Sequence, residues 1–176
     1  WYNNNAVLTD RAACHNATLP FTRNVIGPMD YTPGTFSDSQ HPHITTHAHE
    51  LALPLLFESG MQHMPDRPAV YRELPETVRH LLSTLPTAWD DTRLLAGTPG
   101  DHVVIARRKG KVWYIAGING KDTAATLKFS LQRLSLGGSC TVCLHLLGKD
   151  HLSVFLQSYN IRMGKCNLRQ CGIITS

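Results

Sequence analysis

The chain has 176 residues, 42% hydrophobic and 17% charged, with a formal charge of +4. This is enough apolar material for one average domain or two small ones and argues against a disordered or coiled-coil chain. Lys and Arg are scattered apart from Arg107, Arg108, Lys109 and Lys111, which read as a charged hairpin tip; a nucleic-acid surface needs a broader basic stripe, and no apolar run reaches the roughly 18 residues that span a bilayer, so neither nucleic acid nor membrane is an expected partner.

The sequence opens abruptly on Trp1 without a charged, apolar leader, and its start is read as a cut. Residues 21–26 read as a short strand, closed by Gly27-Pro28 and followed by the turn-rich Tyr31-Thr32-Pro33-Gly34. A polar loop over 37–43 leads into a helix predicted over 45–64, with Thr46 as its cap. Leu51, Ala52, Leu53, Leu55, Leu56 and Phe57 make that helix apolar nearly all round, as in a helix buried in a larger body. Pro54 lies inside it and predicts a kink. A second helix over 75–83 has Glu76 early and Arg79 and His80 late, which suits the helix dipole, and Pro86 stops it.

The period then changes. Residues 101–108 alternate around Val103 and Ile105, Gly110-Lys111 turns the chain, and 112–118 return. Asn119-Gly120 is a strong hairpin signal. Further strands are predicted over 124–131, 140–147, 152–159 and 166–174, with Gly137-Gly138 as a break. The fold class is therefore α/β plus all-β. Residues 1–86 look like the terminal βα units of a (β/α)8 barrel whose earlier strands are missing, and residues 87–176 like an antiparallel β-sandwich. A small self-sufficient α+β layer is the alternative for the first half.

Chemistry is sparse. Five cysteines, Cys14, Cys140, Cys143, Cys166 and Cys171, invite a zinc reading, but positions three apart on a strand face opposite ways. Burial as small hydrophobes suits them better. His41, His43, His47 and His49 crowd beside Glu50, yet position 53 is Leu, so the zinc-protease pattern of two His on one helix face fails. A solvated loop and helix start is preferred for this cluster. Glu50 and Glu58 lie eight residues apart, about 12 Å along a helix axis, too far to flank one glycosidic bond, and are given structural roles. Asp30 follows a strand end, where a βα barrel builds its active site. It is a candidate sugar-hydroxyl ligand or acid/base, or else a residue that satisfies turn amides. His15 and Arg23 are weaker candidates. Asn16-Ala17-Thr18 matches a glycosylation sequon and carries no weight.

Several runs together resemble glycoside hydrolase family 97. The segments His15-Asn16-Ala17-Thr18-Leu19-Pro20-Phe21-Thr22-Arg23-Asn24 and Gly27-Pro28-Met29-Asp30-Tyr31-Thr32-Pro33 are similar to the end of its catalytic barrel. So are His49-Glu50-Leu51-Ala52-Leu53 and Phe57-Glu58-Ser59-Gly60-Met61-Gln62-His63. Pro86-Thr87-Ala88-Trp89-Asp90-Asp91-Thr92-Arg93-Leu94-Leu95, Ala106-Arg107-Arg108 and Trp113-Tyr114-Ile115-Ala116-Gly117-Ile118-Asn119-Gly120 resemble the start of its C-terminal β-sandwich. The resemblance implies a bacterial α-glucosidase or α-galactosidase, retaining or inverting, periplasmic or secreted, with a bound calcium ion and an oligo- or polysaccharide substrate. It also implies that the catalytic carboxylates and the calcium ligands lie upstream of Trp1, in an N-terminal part of the same protein. This chain is then inactive alone and contributes the last barrel wall, with Asp30, His15 and Arg23 near the sugar pocket. Without the other barrel strands, the helix over 45–64 is expected to be partly uncovered. The rival readings are a non-catalytic carbohydrate-binding or structural sandwich, with Trp113, Tyr114 or Trp89 as a sugar platform, and a metal-binding protein built on the histidines.

Overall fold

The computed structural model describes residues 10–38, 42–123, 127–129, 134, 139–145, 154–160, 166–168 and 172–175. Its helices come first: α1 (Ala12–Thr18), a 3-10 turn (Leu19–Phe21), α2 (Arg23–Ile26), α3 (His47–Leu56), α4 (Pro68–Glu73) and α5 (Glu76–Thr84). Eight strands follow: β1 (Asp91–Thr98), β2 (His102–Lys109), β3 (Val112–Asn119), β4 (Leu127–Phe129), β5 (Ser139–His145), β6 (Val154–Asn160), β7 (Cys166–Leu168) and β8 (Gly172–Thr175). No helix of the described residues is long and apolar enough to cross a membrane.

The strand predicted over 21–26 is instead the end of a 3-10 turn and α2. Local side-chain bonds decide this. Asn24 Nδ2 donates to the Gly27 carbonyl at 3.2 Å, and Arg23 Nη1 donates to the same carbonyl at 3.3 Å, which closes the segment into a turn. Val25 and Ile26 supplied the strand signal, yet they are 72% and 86% exposed. A short apolar run cannot by its period alone tell helix from strand.

Thr46 caps α3 as the sequence predicts, with its hydroxyl accepting from the His49 amide at 3.2 Å. The helix stops at Leu56 rather than running on to residue 64, because Phe57 turns to extended backbone. Pro54 lies inside the helix within one turn of its end, and its missing N–H costs the ladder bond to the Glu50 carbonyl. Its own carbonyl accepts from Gln62 Nε2 at 2.6 Å. Pro68 opens α4 as a first-turn proline.

The sheets are antiparallel. One has six strands in the order β1-β2-β3-β8-β5-β6, and the other pairs β4 with β7. The β2–β3 hairpin turns at Gly110, whose φ of 58° favours glycine. Three sequence expectations change here. Residues 166–174 are two strands in different sheets, not one. Asn119-Gly120 does not close a hairpin onto residues 124–131, since β3 pairs with β2 and β8 while β4 pairs with β7. And β2 does not alternate between core and solvent: Val103, Val104, Ile105, Ala106 and Arg107 are all buried. Val103 and Ile105 join Ala116 and Ile118 in the cluster under the helices, leaving Val104 and Ala106 to the opposite face. Gly137-Gly138 and Cys171 lie outside the described residues.

Helix α3 sits against β2 and β3, and Leu51, Leu53, Leu55, Leu56 and Phe57 are at most 2% exposed. The expectation of a partly uncovered helix is corrected: the sheet, with Met29, Phe36, Leu74 and Val78, closes over it. Each such side chain contributes roughly 2 kcal/mol of transfer energy, so this seat is a main source of cohesion.

Asn119-Gly120 marks a close crossing. A Cβ on Gly120 would stand 2.3 Å from the Gly100 carbonyl oxygen and 3.0 Å from Ala17 Cβ. The Gly120 amide donates to the Asp101 carbonyl at 2.8 Å, and Asn119 folds back on Lys121 N and Thr123 O. Because backbone, not a flexible side chain, fills the space, Gly120→Ala is expected to destabilise the chain by about 2 kcal/mol. A lowered urea midpoint with unchanged slope checks this; an unchanged midpoint contradicts the crossing.

Candidate functional site

Tyr31 and Gln62 form a parallel bridge, and the Met29 amide donates to the Glu58 carbonyl at 2.9 Å. The Asn24 side chain completes the join, taking the Glu58 amide at 3.2 Å and donating to its carbonyl at 3.1 Å. Two short extended segments thus lie side by side in the same direction, with α3 between them in sequence.

At these segments stand Asp30 and His63, with Asp30 Oδ1 3.1 Å from His63 Nε2. Their side chains are 82% and 47% exposed. Asp30 does not satisfy turn amides: among the described residues, His63 is its one recorded partner. Arg23 lies close in the chain but is occupied, donating to the carbonyls of Gly27 and Pro28 at 3.3 and 3.2 Å. His15 is exposed on α1 and is not brought to Asp30.

The loop after Tyr31 is held by side chains. Asp66 accepts from the amides of Phe36 and Ser37 and from the Ser37 hydroxyl. Tyr71 donates to the Gly34 carbonyl at 3.0 Å, and His43 Nε2 lies 2.7 Å from the Thr35 carbonyl while Nδ1 faces Asp38. Glu50 is half-buried beneath, bonded by the Thr45 hydroxyl at 2.9 Å and facing the Gly34 and Thr35 backbone. Burial raises its pKa, and those contacts oppose the rise. Burial, then His43, lowers the pKa of His47.

A second, dry group joins α1 to α3. Asn16 Nδ2 stands 3.0 Å from His49 Nε2, and the Tyr31 hydroxyl donates to Asn16 Oδ1 at 2.8 Å. Asn16 and His49 are each 3% exposed. The amide donates, so His49 must accept at Nε2 and carry its proton on Nδ1. Burial holds the His49 pKa down at about 4 and pushes Tyr31 up to about 12, helped by Glu50. The histidine cluster is thus not simply a solvated helix start: His49 is core. His41 lies outside the described residues. Among the described residues, no three His, Cys, Asp or Glu come together as a metal-holding group. Cys140 and Cys143 fall on β5, and Cys166 on β7.

Sequence reasoning missed Asn16 and Arg107. Asn16 appeared only as a chance sequon and within the run that resembles the family, with no role of its own. Arg107 looked like part of a charged hairpin tip, but it is 2% exposed. It donates to the Leu56 carbonyl and to Thr92 Oγ1, both at 3.0 Å, stands 3.6 Å from Glu58, and lies over the Trp89 ring. Arg108 and Lys109 do sit at the tip, beside Asp90. The aromatics named for the rival sugar platform are otherwise engaged: Trp113 is buried between Arg93 and Arg108, and Tyr114 packs on Trp89.

The family model described as "Glycosyl-hydrolase 97 C-terminal, oligomerisation" matches residues 88–166. A "Probable retaining alpha-galactosidase" of Streptomyces bingchenggensis is 51% identical over 105 residues, covering 60% of this chain and 16% of that protein. A "Retaining alpha-galactosidase" of Bacteroides thetaiotaomicron is 37% identical over 114 residues, covering 59% and 17%. A glycoside hydrolase family 97 enzyme from Pseudoalteromonas sp. strain K8, solved with acarbose, superposes with a TM-score of 0.76 at 27% identity, covering 93% of this chain and 28% of that one. The chain resembles the C-terminal part of family 97 enzymes, and it spans 16% and 17% of the length of the two curated relatives.

Protonation of His49 provides a test of the dry group. Its folded pKa of about 4 lies below the ordinary 6.5, so between these values the unfolded chain binds the extra proton. Stability is therefore full above pH 6.5 and falls as pH drops toward 4, by on the order of 3 kcal/mol. Glu50, with its pKa raised, acts oppositely, losing stability as pH rises through its folded value. Urea unfolding across this range should show the acid loss in the parent, and His49→Gln should remove it. The same slope in both proteins would contradict a neutral, buried His49.

Proposed function

We propose that this chain is the C-terminal part of a retaining α-galactosidase of glycoside hydrolase family 97. On this reading, residues 1–86 end the catalytic (β/α)8 barrel and residues 87–176 form a β-sandwich bound to it. The observation that carries the reading is the parallel pairing of Tyr31 with Gln62 across α3. It has the form of a strand–helix–strand unit, in which strand C-terminal ends face the substrate. The start of β1 at Asp91, three residues after the family match begins at 88, supports the division.

The 51% and 37% identities to proteins named retaining α-galactosidases support a terminal α-linked galactose as substrate. The enzyme solved with acarbose and panose supports α-glucosides as a second reading. A retaining hydrolase uses one carboxyl to protonate the leaving oxygen and a second as nucleophile, passing through an oxocarbenium-like transition state to a glycosyl-enzyme that water cleaves. We place both in the part of the relatives that this chain does not span. This chain would then supply pocket wall through Asp30. Arg23 would brace the turn that delivers it, and His15 would be a more distant contact. Glu50 and Glu58 are not offered as the acid pair: one is half-buried and bonded by the Thr45 hydroxyl, and the other lies beside Arg107.

Calcium, implied by the family, would be held by carboxylates outside this chain; the described residues offer no group that fits it, and no step here passes through it. It would orient carboxylates and polarise the bound sugar. The family resemblance likewise supports a periplasmic or secreted enzyme.

Hydrolysis of 4-nitrophenyl α-D-galactopyranoside is the test, run on the 176-residue chain and on the longer protein that carries it. Turnover by the longer protein alone, faster than on the α-glucoside, with α-galactose as the first product by NMR, is expected. Turnover by the short chain would overturn the placement of the carboxylates, and β-galactose first would overturn retention.

A further inference from the structure

We propose that Asp30 and His63 act as one sugar-hydroxyl clamp, in which Asp30 binds the galactoside and His63 is the positioning residue that aims its carboxylate. The proposal rests on the reading above that these segments line the substrate pocket. The pair joins neighbouring parallel segments, Asp30 one residue before and His63 one residue after the bridged Tyr31 and Gln62. With 82% and 47% of their side chains exposed, the two groups gain little from each other as a solvent-screened ion pair. Stability therefore gives no strong reason for the contact.

The chemistry gives one. An ionised carboxylate accepts and never donates, and it has two oxygens. Asp30 Oδ1 faces His63 Nε2 at 3.1 Å, so Oδ2 stays open to a hydroxyl. A neutral His63 ring carries one acceptor nitrogen as well as one N–H beside it. Adjacent ring hydroxyls each bring a donor to such a pair. Without His63, an Asp30 carboxylate exposed to this degree would rotate freely, and the cost of fixing it would fall on substrate binding.

The experiment compares kcat/KM of the full-length protein for 4-nitrophenyl α-D-galactopyranoside and its 2-, 3-, 4- and 6-deoxy analogues. In the parent, loss of the clamped hydroxyl is expected to reduce kcat/KM by at least about tenfold, the scale of one hydrogen bond to a charged acceptor. Asp30→Ala and His63→Ala should shrink that one penalty to about twofold or less and leave the other deoxy penalties alone. His63→Gln, which keeps an N–H donor, should retain it. If every deoxy penalty keeps its parent value in both alanine variants, the clamp is overturned while the hydrolase reading stands. Binding of methyl α-D-galactoside, followed by saturation-transfer NMR, reads the pair without turnover. Binding lost in both alanine variants, in a protein that hydrolyses nothing, would sustain the clamp and overturn the hydrolase reading. No turnover and no binding in the parent would overturn both.

Discussion

The guanidinium of Arg107 lies buried between the two halves of the molecule. It comes from β2, next to the edge strand β1, reaches the last carbonyl of α3 at Leu56 and the Thr92 hydroxyl of β1, and stands beside Glu58. A cation at a helix C-terminus complements the exposed carbonyls there. Burial makes the arrangement demanding, because it disfavours the charged form that Glu58 in turn supports. Around this contact, α3 presses its leucines onto Val103, Ile105, Ala116 and Ile118. The seat of α3 on β2–β3 is thus both apolar and polar. It is specific in register, since a one-residue slip of β2 would move Arg107 to the opposite face.

The candidate site hangs from this seat. Beyond α3, Glu58 holds Asn24 and Met29 through its backbone and faces Arg107 through its side chain. The Tyr31–Gln62 bridge follows directly, and with it the positions of Asp30 and His63. On the other side of α3, the Asn16–His49–Tyr31 group ties α1 to the same strand segment. The exposed pair is carried by backbone that is anchored at both ends, as a binding residue needs if it is to hold its geometry.

The parts readable from sequence were those set by local chemistry. Thr46 announces the start of α3, and the apolar content of 51–57 announces its burial. Gly110 between two β-branched runs announces the β2–β3 hairpin, although β2 is buried on both faces rather than alternating. Asp30 is named from the end of a strand over 21–26 that the structure replaces with a 3-10 turn and α2; it stands instead next to the Tyr31–Gln62 bridge. The rest depended on contacts distant in the chain. Residues 21–26 carry strand-forming side chains but meet no sheet, and Asn24 finds its partner at Glu58 instead. Arg107 reads as a surface charge until the partners at Leu56 and Thr92 are seen. Asn119-Gly120 has the letters of a hairpin, while its glycine answers a crossing with Gly100 and α1. His63 had no signal of its own beyond lying in a run that resembles the family.

Amide hydrogen exchange, read residue by residue, tests most directly whether α3 and the sheet are one cooperative body. The account predicts that the protected amides of α3 and those of β2 and β3 open at the same free energy, and that Arg107→Met lowers both together. Exchange of α3 through a separate opening, well below that of the sheet and indifferent to Arg107, would contradict it.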